Sequence, residues 1–138
     1  MATKPEAGDV TAPRGKRSKW KWILAGVLLT PFAGFALWAW ITLSYTYSSG
    51  DRAGYLQKFS HKGWLCKTWE GEIAMANLPG AMPQIFAFTV RDDSVAAILN
   101  GMSGQRVAIY YEQHRGVPTS CFGDTEYFIV RAQRLTAP

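Results

Sequence analysis

QIFAFTVRDDSVAAILNGMSGQRVAIYYEQ, residues 84–113, changes its hydrophobic period twice. Residues 84–90 alternate, with Phe86, Phe88 and Val90 on one side, the pattern of a half-buried strand. Asp92 or Asp93 can then accept from the unpaired N–H groups that open a helix. Val95, Ile98 and Leu99 make one apolar stripe at helical spacing, and Gly101 stands near the stop. Alternation resumes over 105–113, where Val107, Ile109 and Tyr111 share the buried side. The rest of the domain has to be arranged around this strand, short helix and strand.

Upstream, RAGYLQKFS (52–60) reads as a first strand and HKG (61–63) as a turn, with Gly63 available for a positive φ. WLCKTWEGEIAMA (64–76) reads as a second strand with Leu65, Trp69, Ile73 and Met75 on its core face. Gly71 on that same face lets a long strand bend. NLPGAMP (77–83) is a loop by its prolines and glycine. Downstream, HRGVPTSCFGD (114–124) is a long loop and TEYFIVRAQRL (125–135) a fifth strand. The order β-β-β-α-β-β over residues 52–135 predicts a small OB-fold-like barrel. An SH3-like barrel is the alternative, and it accounts less well for the amphipathic helix.

Before this domain, WILAGVLLTPFAGFALWAWITL (22–43) carries no charge. At about 1.5 Å per residue it spans about 33 Å, the thickness of a bilayer core. Trp20 and Trp22 stand at one end and Trp38, Trp40, Tyr45 and Tyr47 at the other, where amphipathic rings meet headgroups. Residues 20–44 are therefore expected to be an uncleaved transmembrane helix in a lipid bilayer. RGKRSKWK (14–21) directly precedes it, so the positive-inside rule puts the N-terminus in the cytoplasm and the C-terminal domain in the periplasm of a bacterial inner membrane. Residues 1–19 read as a disordered basic tail and 45–51 as a linker, SSGD being its clearest part.

The net charge of +5 over 138 residues is concentrated in that tail. Residues 1–21 hold six basic against two acidic side chains, whereas 51–138 hold nine against eight. A near-neutral domain lacks the field that phosphate-backbone binding needs, which argues against nucleic acid.

HKGWLCKTWEGE (61–72) is the densest stretch of reactive side chains. Cys66 and Cys121 are the only cysteines, and in an oxidising compartment a pair is first read as a disulfide. In an OB-like barrel their two segments flank one cleft, which makes His61, Trp64, Tyr110, His114, Arg115, Asp124 and Tyr127 the ligand-cleft candidates. A competing metal reading takes His61, Cys66, His114 and Cys121 as a zinc set, but the spacings H-x4-C and H-x6-C match no standard finger. A Cys121–His114–Asp124 hydrolase is conceivable by residue type, yet Cys121 lies in a loop with nothing to lower its pKa. Glu70 and Glu72, two apart on one strand, stand about 7 Å apart and read as solvated or cross-strand ion pairs. Trp64, Tyr110 and Tyr127 could make a surface stacking platform, whereas Trp69, Phe86 and Phe88 read as core.

GDRAGYLQKFSHKGWLCKTWEGEI (50–73), FTVRDD (88–93) and YYEQHRGVPTSCFGDTEYFI (110–129) resemble a family of small uncharacterised bacterial single-span membrane proteins, over roughly residues 45 to 130. Some members carry the label 6-phosphogluconate dehydrogenase, but this chain has no Gly-rich strand-turn-helix for a dinucleotide and too few residues for a substrate domain. The resemblance implies the anchor-plus-domain layout and carries over no catalytic residue. The expectation is a membrane-anchored periplasmic binding or interaction module without a cofactor, its partner an envelope protein, saccharide or peptide. A structural subunit of an envelope complex and a metal- or thiol-dependent enzyme are the alternatives.

Overall fold

The computed structural model describes residues 19–75 and 79–136, with Thr3 and Gly8 beyond them. The expected basic tail and the join after the second strand, residues 76–78, thus lie largely outside the described residues. Contacts divide the chain into two compact units, Met1–Phe35 and Ala36–Pro138.

The first helix, α1 (Lys19–Ser44), has 26 residues and Pro31 inside it. It is apolar on every side, and its hydroxyls are turned back onto its own carbonyls: Thr30 Oγ1 donates to Gly26 O at 2.6 Å and Thr42 Oγ1 to Trp38 O at 3.0 Å. That back-bonding satisfies a polar group where a hydrocarbon solvent would not. By length and composition α1 fits a membrane anchor or a signal sequence.

Five strands and one helix follow: β1 (Ser48–Lys62), β2 (Thr68–Met75), β3 (Gln84–Val90), α2 (Asp93–Asn100), β4 (Arg106–Gln113) and β5 (Tyr127–Arg134). β1 starts at Ser48, inside the segment expected to be a linker. Residues 48–55 are recruited as a partner for β4, a long-range pairing that Ser-Ser-Gly-Asp does not advertise. From Tyr55 onward the same strand pairs with β2 instead, with a bulge between Leu56 and Lys58. Gly54 sits at the changeover, where an added Cβ would lie 2.5 Å from the carbonyl oxygen of Ala74. Only glycine lets the two backbones come that close.

β2 pairs antiparallel with β3, β3 meets β5 in parallel at Thr89 and Phe128, and β5 pairs antiparallel with β4. The order β1-β2-β3-β5-β4 returns from β4 to β1, so the pairings form a ring. Leu56, Ile73, Phe88, Val90, Leu99, Val107 and Ile109 fill its inside and are essentially sealed from solvent. Phe88 lies over Gly71, its register partner.

α2 opens on Asp92, whose carboxylate accepts from the Ser94 N–H at 2.8 Å and from the Ser94 hydroxyl. Val95, Ala96 and Leu99 are its buried residues, whereas Ile98, expected in the stripe, is 45% exposed. The Ser94 hydrogen bonds hold the Asp92 carboxyl below the ordinary carboxylate range. A lowered folded-state pKa means that the cap stabilises fully above the unfolded pKa, about 3.9, and loses its effect as pH falls through the lower folded value. Asp92→Ala should therefore lower the unfolding midpoint at neutral pH. The gap to the parent should close on acidification, as read from paired thermal melts across pH.

Candidate functional site

His61 and Lys62, expected in a turn, extend β1, and residues 64–67 do not open β2 as expected but form with Gly63 a tip ahead of it. Gly63 has φ +139°, and a Cβ there would lie 1.8 Å from the Cys66 carbonyl oxygen, so the chain turns back on itself at a glycine. Trp64 is 97% and Leu65 84% exposed on this tip, so Leu65 is not a core residue.

The tip and the strand ends that flank it are tied to the loop between β4 and β5, residues 114–126, in three ways. Cys66 and Cys121 form a disulfide with their Cα atoms 4.9 Å apart. Lys62 Nζ lies 2.8 Å from Asp124 Oδ2. The hydrogen bond to Asp124, and then its charge, raise the Lys62 ammonium above its ordinary pKa, although both side chains are exposed and solvent screens the pair.

The third tie is Glu70, which is only 7% exposed. It accepts from Thr68 Oγ1 at 2.7 Å, Thr89 Oγ1 at 2.7 Å and the Asp124 backbone N–H at 3.1 Å. Thr89 Oγ1 in turn accepts from the Thr125 N–H at 3.2 Å. Glu70 thus corrects the expectation of a solvated pair with Glu72. The long loop folds over its side of β2 and turns a surface carboxylate into an internal anchor.

Beside the staple, His61 stacks on Trp69 with ring centroids 4.4 Å apart, and Trp69 stacks on Phe59 at 5.2 Å. These three rings form a column across β1 and β2. Its His61 end opens on a hollow of about 190 Å³, edged by Lys67, Arg91, Asp93, Cys121 and Phe122, two cations against one carboxylate. Two larger hollows, about 440 and 450 Å³, border β5, one beside α2 and the other beside the end of α1. The smaller one adjoins both stapled segments, and for that reason we take it as the candidate site.

Not all of the expected cleft residues gather here. His61 lines the rim, Asp124 is in the staple, and Trp64 projects from the tip. Tyr110 lies in a row with Asp51 and Arg131 across β1, β4 and β5, with the Arg131 guanidinium 5.1 Å from its ring. Tyr127 packs into the aromatic group of Phe86 and Tyr111. No platform of Trp64, Tyr110 and Tyr127 forms, because the three belong to different surfaces. Arg115 covers Tyr47 at 4.7 Å.

His114 is buried, with Nδ1 3.2 Å from the Thr42 carbonyl oxygen and its ring edge-on to Phe128 at 5.3 Å. A carbonyl only accepts, so Nδ1 carries the proton in this contact. The other nitrogen is 3.6 Å from Glu112. His114 is therefore committed to packing against the end of α1. The zinc set is dispersed, its thiols are joined in the disulfide, and the Cys121–His114–Asp124 hydrolase has no free nucleophile. Among the described residues no three His, Cys, Asp or Glu side chains converge to hold a metal. Arg91, Thr68 and Phe122 were not anticipated at the site. Arg91 could have been suspected from its place between β3 and the Asp92 cap.

The sequence model of a domain family described as "Domain of unknown function (DUF8785)" matches residues 45–137. No curated protein and no solved structure matches the chain.

Proposed function

We propose a function from one premise: the chain belongs to the DUF8785 family, whose matched span holds the staple and the rim and begins just after α1. The domain is an OB-like barrel. Its β-β-β-α-β-β order, the ring of pairings and the parallel β3–β5 contact all support that assignment. It is a binding module tethered by residues 20–44 to a bacterial inner membrane, with its N-terminus in the cytoplasm. The basic run 14–21 supports that orientation, and the Cys66–Cys121 bridge supports an oxidising periplasm for the domain.

Its ligand is an envelope saccharide or peptide, taken at the rim where His61, Trp69, Lys67 and Arg91 meet. The observation that carries this reading is the exposed end of the Phe59–Trp69–His61 column beside two cations. A flat sugar face or a peptide plane can continue the stack, and the cations can take a carboxylate. The experiment is a titration of the full chain in phosphatidylcholine nanodiscs, with chito-oligosaccharides and short free-carboxylate peptides as separate probes. The Trp69 indole N–H resonance reports contact, and His61→Ala and Lys67→Glu are the variants expected to weaken it.

A further inference from the structure

Each of the five strands contributes one side chain to a second cluster, which takes no part in the stapled rim. These are Arg52 from β1, Met75 from β2, Phe86 from β3, Tyr111 from β4 and Tyr127 from β5. The three rings touch one another, with centroids 5.4 Å apart for Phe86–Tyr111, 4.8 Å for Phe86–Tyr127 and 5.5 Å for Tyr111–Tyr127. The Arg52 guanidinium lies 4.5 Å from the Phe86 ring centre and 5.5 Å from that of Tyr111. One of its nitrogens donates to Met75 Sδ at 3.3 Å.

The cluster supplies charge and donors without an acceptor to match. A guanidinium stays protonated at any physiological pH and offers five N–H groups in a rigid fork. Here it is half-buried against two aromatic faces, yet among the described residues it has no carboxylate partner, and a thioether is a weak acceptor. Neither the Tyr111 nor the Tyr127 hydroxyl bonds to a described residue. Gly50, the register partner of Tyr111, leaves that hydroxyl uncovered, since even a methyl group there would come within 3.2 Å of it.

We propose that this cluster is an oxyanion site for a phosphate group. The Arg52 fork pairs with two phosphate oxygens, a tyrosine hydroxyl donates to the third, and the rings pack against the ester's apolar substituent. A phosphate monoester offers a separate oxygen to each of these donors, whereas a carboxylate would have to share its two. Arg52 follows the last residue of α1 by only eight positions, so a phosphomonoester lipid headgroup and a free phosphate ester are both sources of this chemistry.

The test uses the full chain with ¹⁵N-labelled arginine. One arm titrates inorganic phosphate and then phenyl phosphate into phosphatidylcholine nanodiscs. The other replaces part of the phosphatidylcholine, a diester, with phosphatidic acid, whose headgroup is a phosphate monoester with three free oxygens. The Arg52 Nε–H resonance should move saturably in at least one arm. Movement with phenyl phosphate assigns a free ester, and movement only with phosphatidic acid assigns a headgroup. Arg52→Gln should weaken binding about tenfold or more by calorimetry, the scale of a lost charge-assisted pair. Tyr111→Phe, which keeps the ring and its packing, should weaken it less. Arg131→Gln, which removes a cation from the Tyr110 face, should leave it unchanged. No saturable movement in either arm, or binding by Arg52→Gln equal to the parent's, overturns the proposal.

Discussion

Replacing Cys66 and Cys121 together by serine should lower the unfolding free energy of the domain by about 4 kcal/mol, the loop-closure value for a bridge of this span. The two cysteines are 55 residues apart, so the bridge removes much of the freedom of the unfolded chain. The exposed Lys62–Asp124 pair offsets little of its loss, and the Glu70 hydrogen bonds are common to both proteins. The measurement is chemical denaturation of the chain in nanodiscs, followed by near-ultraviolet circular dichroism. The reduced parent should fall to the midpoint of the double variant. Equal midpoints for the oxidised parent and the variant would mean that the staple orders the site without stabilising the fold.

Glu70→Ala is the second large loss, about 3 kcal/mol, because it leaves buried donors facing a void. Thr68 Oγ1, Thr89 Oγ1 and the Asp124 N–H all converge on that carboxylate. The hydroxyls can turn elsewhere, but the backbone N–H cannot. Hydrogen exchange should therefore show the Asp124 amide losing protection even where the rest of the sheet keeps it. Glu70→Gln retains one oxygen acceptor and the shape, so it should recover part of the stability. An alanine variant with unchanged stability and exchange would show that the 114–126 loop is held by the disulfide alone.

The two variants probe features of different legibility. A pair of cysteines in an otherwise cysteine-free chain announces itself, and so does the switch of period over 84–113, with Asp92 at its turning point. Glu70 does not. Alternation correctly puts it opposite Gly71 and Ile73, but burial on that side depends on a loop that begins more than 40 residues later. Leu65 and Trp64 have strand composition, yet Gly63 and the bridge hold them on a tip.

The expected cleft fared unevenly for a related reason. His61 and Asp124 follow the stapled segments, whereas Tyr110 and Tyr127 depend on which way each strand residue points. A one-residue shift of register sends a side chain to the other face. The bulge beside Tyr110 and Tyr111 makes that orientation hard to count from sequence. The Arg52 cluster is the extreme case. Its five members come from five strands, and only the ring of pairings brings them together.

The claim that a stapled rim is the ligand site of this domain meets its most direct test at one nucleus, the Trp69 indole nitrogen. In the full chain in nanodiscs, its proton resonance should shift saturably with a chito-oligosaccharide or a free-carboxylate peptide. His61→Ala and Lys67→Glu should each weaken that response, while the exposed Trp64 indole serves as the nonspecific reference. A Trp69 signal that stays fixed under every probe, or moves identically in the parent and both variants, would contradict the account.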